Sequence, residues 1–226
     1  TFDSSVNSLK LTDPATNATG EYAFNEVLDL GGVFSLDLKR HIQTESFYSG
    51  SLFDSRTALI DTWTDFDGGQ ATATNCEMLV AVTQDNPSSS PTFTAFQTFV
   101  NGTYKGRGFK FKVILSTTDP AQVSELGYTA TFQRRTEQSA TAIASGSGVK
   151  NITFSNPFFT GTSALLGANS NLPSIGITAT DNITSGDYFQ VTNISSTGFS
   201  VHFKDSSNAS INRNFNFSAV GFGKGV

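Results

Sequence analysis

Hydrophobic and polar residues alternate with a period of two in one segment of this chain after another. The pattern is clearest from Tyr188 to Lys204. Phe189 and Val191 leave one face, while Tyr188, Gln190 and Thr192 leave the other. After Ser195-Ser196-Thr197-Gly198 the alternation resumes, with Phe199, Val201 and Phe203 set against Ser200, His202 and Lys204. Side chains of a strand leave alternate faces of the pleat, so this pattern predicts two half-buried strands. The short polar gap with its glycine predicts a hairpin connection. The hairpin has an apolar row, Phe189, Val191, Phe199, Val201 and Phe203, expected in the core. Its other face carries Tyr188, His202 and Lys204.

The same period recurs along the chain. Val33 to Ile42 sets Phe34, Leu36 and Leu38 against Ser35, Asp37 and Lys39. Asn75 to Val82 places Cys76, Met78, Val80 and Val82 on one face, which makes Cys76 a buried thiol acting as a small hydrophobe. Phe93 and Phe99 bracket a strand pair expected to turn at Asn101-Gly102. Phe109, Phe111 and Val113 alternate with Lys110 and Lys112, and Asp119-Pro120 turns the chain back into Val123 to Phe132. Ala58, Ile60 and Phe66 read as buried neighbours of the single tryptophan, Trp63. Val149–Phe154, Ile175–Ala179 and Asn214–Val220 complete the set. Short strands punctuated by Gly, Pro and Asn predict an all-β chain of sandwich or jelly-roll type.

One stretch breaks the rhythm. Thr136 to Gly148, TEQSATAIASGSG, is made of small residues without periodicity. It predicts a division into a jelly-roll-like domain over 1–138, a linker over 139–148 and a small antiparallel β-sandwich over 149–226.

Composition sharpens this picture in three ways. Charged residues are only 15% of the chain, below the quarter usual in globular domains, and Ser, Thr, Asn and Gly replace them. The 21 phenylalanines against 5 tyrosines assign most aromatics to the core and not to a binding platform. The net charge of −5 argues against a general nucleic-acid partner, which calls for a basic stripe. No apolar run approaches the roughly 18 residues of a membrane span. With one cysteine, Cys76, no internal disulfide or cysteine-built zinc site is available. The chain starts at Thr1 without a visible signal peptide, and so reads as a processed or trimmed piece.

Candidate chemistry is sparse. The two histidines, His41 and His202, lie in no catalytic motif, and no G-x-S-x-G elbow occurs. Asp61, Asp65 and Asp67 form the densest acidic cluster, followed by Gly68-Gly69. They offer hard oxygen ligands for Ca²⁺ or a carboxylate pair for glycoside hydrolysis, set against a turn cap at Asp67 and a solvated Asp65. The pattern is not that of an EF-hand. Trp63 is either a sugar-stacking ring or core. Tyr104 and Arg107 follow the Asn101-Gly102 turn. Arg107 offers a bidentate grip on a carboxylate, set against a role guarding a hairpin edge with positive charge. Tyr188, His202 and Lys204 are the best-placed binding face, set against an ordinary solvated strand face. No cofactor is expected.

Several long strings resemble a known family. LFDSRTALIDTWTDFDGG, then VAVTQDNPSSSPTFTAFQTFVNGTYKGRGFKFKVILSTTDP and VSELGYTATFQRR, resemble the C-terminal region of phage host-specificity proteins, the lambda J-like central tail-tip proteins. ITFSNPFF and the run from Pro173 to Val226 resemble the module that ends many of them. At fold level the first region is similar to discoidin-like jelly rolls and the second to H-type lectin modules. The stretch 160–171 departs from the family pattern by its length.

The resemblance implies a non-enzymatic virion component at the phage tail tip. It implies a homotrimer, other tail-tip proteins as partners, and a glycan or protein receptor on the bacterial surface. A purely structural tail-tip decoration and a secreted carbohydrate-binding module are the alternatives.

Overall fold

The computed structural model describes residues 2–3, 8–11, 13–48, 57–62, 72–133, 136–161, 171–181 and 183–226. Among these the chain is all-β and antiparallel, with no α-helix and a single turn of 3-10 helix at Ile60–Thr62. The strands are β1 (Phe2–Asp3), β2 (Ser8–Lys10), β3 (Thr19–Ala23), β4 (Leu28–Tyr48), β5 (Thr74–Thr83), β6 (Gln97–Thr98), β7 (Gly102–Thr117) and β8 (Gln122–Gln133). They continue with β9 (Thr136–Ala144), β10 (Lys150–Thr153), β11 (Ser174–Ala179), β12 (Tyr188–Thr192), β13 (Gly198–Lys204), β14 (Asn214–Gly221) and β15 (Gly223–Gly225).

The chain divides into two compact units. Unit 1 is Thr1–Asp29, Arg40–Val100 and Gly108–Ala130; unit 2 is Leu30–Lys39, Asn101–Arg107 and Thr131–Val226. This corrects the boundary expected from composition. Residues 139–144 of the expected 139–148 linker belong to strand β9, which pairs with β14 from Thr136↔Gly221 to Ala144↔Asn214. The strand hides from a pattern search because it carries a bulge. The register slips between Phe215 and Phe217, Ala142 takes a left-handed φ of 55°, and its N–H donates to Asn216 Oδ1 at 2.9 Å. One extra residue shifts the alternation by a place, and period two is lost.

In unit 1, β3 and β5 pair with the two edges of β7, β6 adds to β5, and β2 joins β1 to β8. Met78, Val80 and Val82 are buried as expected, with Phe99, Phe109, Val113, Leu115 and Leu126. Asn101-Gly102 does not turn a hairpin: β6 and β7 lie on opposite sides of β5. Lys110 and Lys112 are more than a solvent face, because their ammonium groups sit 4.3 Å from the Phe93 ring and 5.0 Å from the Phe96 ring. The expected burial of Ile60 fails, since its side chain is exposed, as is Ala58; Phe66 lies outside the described residues.

Unit 2 contains a small sandwich. One three-stranded sheet has the order β10-β13-β12, the other β11-β14-β9. Phe154, Phe158, Phe199, Val201 and Phe203 from the first side meet Phe215, Phe217 and Ala219 of β14. The rings pack edge-on or tilted, as their quadrupoles favour, at centroid distances of 5.0 Å for Phe154–Phe158 and 5.3 Å for Phe199–Phe217. Leu36 and Leu38 are buried in the same unit, where β15 pairs Gly223 with Leu36.

Candidate functional site

The hairpin read from the sequence is present. β12 and β13 pair antiparallel with the register Tyr188↔Lys204, Phe189↔Phe203, Gln190↔His202, Val191↔Val201 and Thr192↔Ser200. Directly opposed residues share a face, so Tyr188, Gln190, His202 and Lys204 form one polar surface on unit 2. The apolar row needs one correction. Phe199, Val201 and Phe203 are buried on the central strand, but Phe189 on edge strand β12 keeps 40% of its surface exposed. Its ring centroid lies 5.5 Å from that of Phe203.

The polar surface is bordered by the turn that follows β13. Asp205 builds it: its Oδ1 accepts from the N–H groups of Ser207 at 2.8 Å and Ala209 at 3.0 Å. Asn208 takes a left-handed φ of 66°, which Asn tolerates better than most residues. The turn then returns, bridging Ser210 to Lys204 in the backbone and donating from Ile211 N to Phe203 O. This return delivers two polar side chains onto the surface. Tyr188 Oη donates to Asn208 Oδ1, and His202 Nε2 and Ser210 Oγ are 2.8 Å apart. The phenol and the imidazole are thereby held in place. Lys204 is half-buried.

The start of β12 is fixed by an ion pair. Arg213 Nη2 donates to Asp187 Oδ2 at 2.6 Å, and the Asp187 side chain is only 6% exposed. Thr184 N also donates to that carboxylate at 3.0 Å. The Arg213 guanidinium, then the Thr184 amide, hold the Asp187 carboxyl below its ordinary value. Beside it, Asp181 accepts from Asn214 N at 2.6 Å and Asn214 Nδ2 at 3.1 Å. These contacts tie the loops before β12 and after β11 to the start of β14, so the hairpin is anchored to the facing sheet.

The other sequence candidates do not join this surface. Tyr104 and Arg107 are on β7, in a different sheet from the hairpin. They are three residues apart on one strand, which places them on alternate faces. Asp61 is exposed in the 3-10 turn; Asp65, Asp67 and Trp63 lie outside the described residues, as do 162–170 of the stretch 160–171. Among the described residues no cluster of three or more His, Cys, Asp or Glu is placed to hold a metal ion. Cys76 is partly buried, and desolvation pushes its thiol up to about 11. A thiol in that state is not poised as a nucleophile.

Two features escaped the sequence reading. Asn208 and Ser210 complete the polar surface, yet they belong to an irregular turn with no periodic signal. The second is a cleft of about 310 Å³ in unit 2, between edge strands β9 and β10. A smaller hollow in unit 1, about 60 Å³ between Leu9, Leu11, Gly20 and Tyr22, has room only for water.

No protein-family model matches the chain, and a search of curated proteins gives no match. Among solved structures, wild-type discoidin II from Dictyostelium discoideum is similar at 14% identity, covering 81% of this chain and 94% of that one with a TM-score of 0.29. At that TM-score the description of the fold rests on the strand pairings themselves.

Proposed function

We propose that this chain is a non-enzymatic receptor-recognition module of a phage tail tip, working as a homotrimer beside other tail-tip proteins. Its ligand is a glycan or protein on the bacterial surface. The carrying observation is the polar surface of the β12–β13 hairpin. Tyr188, Gln190, His202 and Lys204 stand in register on one face, with the phenol and imidazole fixed by Asn208 and Ser210. Held side chains lose little entropy on binding, which favours recognition. An aromatic ring, an amide, an imidazole and one ammonium suit hydrogen bonding to a neutral or weakly acidic partner. Three weak sites in one trimer would gain avidity without new contacts. The strings that resemble host-specificity proteins support the tail-tip setting.

The test is competition. Purified protein is added to bacterial strains together with phages that adsorb to them. The reading expects the protein to label a strain and to slow adsorption, and expects Tyr188→Ala with Lys204→Glu to lose both effects while keeping the native near-ultraviolet spectrum. Equal labelling by the double variant would refute the assignment of this face.

A second reading has its own support. Tyr188 and His202 each spend a polar atom on the 205–210 turn, which is what a purely structural hairpin would do. Under that reading the protein does not compete with phage, and Tyr188→Phe and His202→Ala alter only stability.

A further inference from the structure

The cleft between β9 and β10 in unit 2 has a volume of about 310 Å³, and none of its lining residues belongs to the hairpin surface. It exists because two edge strands, one from each sheet, lie side by side at the open flank of the sandwich. The floor is apolar, with Ala140, Ile143 and Ile152 beside the buried rings of Phe154 and Phe217. The rim is polar but uncharged, with Gln138, Asn151, Thr153 and Ser155.

Two of these rim groups are held before any ligand arrives. Gln138 Oε1 accepts from Ser155 Oγ at 2.8 Å and from Asn156 N at 3.2 Å, and its Nε2 donates to Asn156 O at 2.7 Å. Asn151 stands opposite Ser200 in the ladder and its Oδ1 accepts from Ser200 Oγ at 2.8 Å, which sets its amide at the outer margin of the cleft, on the polar side of the sheet.

We infer that this cleft is a binding site for a neutral pyranoside, taken with an apolar C–H face of the sugar ring against the Ile143 and Ile152 side of the floor and its hydroxyls on the amide and hydroxyl rim. Each competing ligand class meets a physical obstacle. An anionic sugar or phosphate finds no cation in the lining and would be desolvated without a counter-charge. An aliphatic chain would cover the rim amides and leave them unpaired. An extended peptide needs a long straight edge to pair with; the bulge at Thr141–Ala142 kinks the β9 edge, and β10 offers only Lys150–Thr153. The volume falls at the low end of the roughly 300–1,000 Å³ of small-molecule sites, so the ligand is small and binds weakly.

The experiment uses the full chain and a panel of methyl glycosides of glucose, galactose, mannose and N-acetylglucosamine, with methyl glucuronoside as the charged control. Saturation-transfer NMR detects binding, and amide chemical shifts locate it. At least one neutral glycoside is expected to bind, with shifts confined to 138–143 and 151–155 and a Kd in the millimolar range. Thr153→Arg, at an exposed rim position, should weaken it by about tenfold or more. Gln138→Ala should weaken it less, and both variants should retain amide spectra unchanged in unit 1.

No saturation transfer from any neutral glycoside would overturn the inference, as would binding that Thr153→Arg leaves intact or that the glucuronoside matches. A fall in solution mass in Thr153→Arg, with no glycoside bound by the unsubstituted protein, would overturn it too and assign the cleft to a subunit interface. These readouts involve no cells, so they stand or fall separately from the hairpin face.

Discussion

Phe203 and Phe189 face each other across the hairpin, yet the structure assigns them very different weights. Phe203 is 2% exposed, with ring centroids 5.5 Å from both Phe189 and Phe215. Truncation to alanine removes a fully buried ring between two others, a change that costs about 3–5 kcal/mol through lost transfer energy and the cavity left behind. Phe189 keeps 40% of its surface in water and borders no closed space. Its truncation forfeits only part of the roughly 1.5–3 kcal/mol of a buried phenylalanine, so about 1–2 kcal/mol is expected.

The gap between the two variants should therefore be about 2–3 kcal/mol, and a double-mutant cycle should return a coupling of about 0.5–1.5 kcal/mol for the ring pair. The assay is hydrogen exchange read by mass spectrometry on peptides from β13 and β14 in the full chain, where local opening free energies separate unit 2 from unit 1. Phe203→Leu, expected to cost about 1–2 kcal/mol, keeps the comparison possible if Phe203→Ala does not fold. Equal costs for the two alanine variants, or a larger cost at Phe189, would refute the view that β13 is the core strand and β12 its edge.

Further outcomes follow from other sites. The Asp187 carboxyl is held below its ordinary value, so its contribution to stability is present above about pH 4 and is lost as pH falls through the lowered value; Asp187→Asn should flatten that acid limb in pH-dependent urea melts, and an unchanged limb would count against the Arg213 pairing. With the Cys76 thiol raised from 9.0 to about 11, its thiolate population at pH 8 is about 100-fold below that of a free thiol; alkylation by iodoacetamide should be slow in the native protein and fast in guanidinium. At Gly198 an added Cβ would lie 2.1 Å from the Ile152 carbonyl oxygen, a backbone atom that cannot swing aside, so Gly198→Ala should cost more than about 2 kcal/mol and expose the β10 amides to exchange. At Gly176 the nearest atom is the Ser218 hydroxyl at 3.0 Å, and Gly176→Ala should be tolerated in the same measurement.

The regular parts of this fold are legible in the sequence because each strand has a buried and an exposed face, and period two survives wherever the ladder is regular. The hairpin 188–204 and the buried face of β5 are read that way. β9 is not, for two reasons that compound. It lies at a sheet edge, where small polar residues satisfy the packing, and its bulge shifts the alternation midway. The half-exposure of Phe189 follows from which strand is the edge, and edges are set by long-range pairing that no local pattern encodes. The polar surface is half legible: Tyr188, His202 and Lys204 come from the alternation. Asn208 and Ser210 reach it through a turn, and the Asp187–Arg213 pair joins residues with no sequence relation.

The composite make-up of unit 2 bears on how the protein is made. Its material comes from three separated stretches of chain, and β15 pairs with Phe34–Leu36 of β4, which emerges from the ribosome long before it. Until β15 has been synthesised, Phe34–Leu36 of β4 lack that strand partner. Contacts so distant in sequence close slowly, because the loop entropy is lost before the packing is gained. An edge left open in this way invites pairing with another chain, so chaperone demand during synthesis should centre on it.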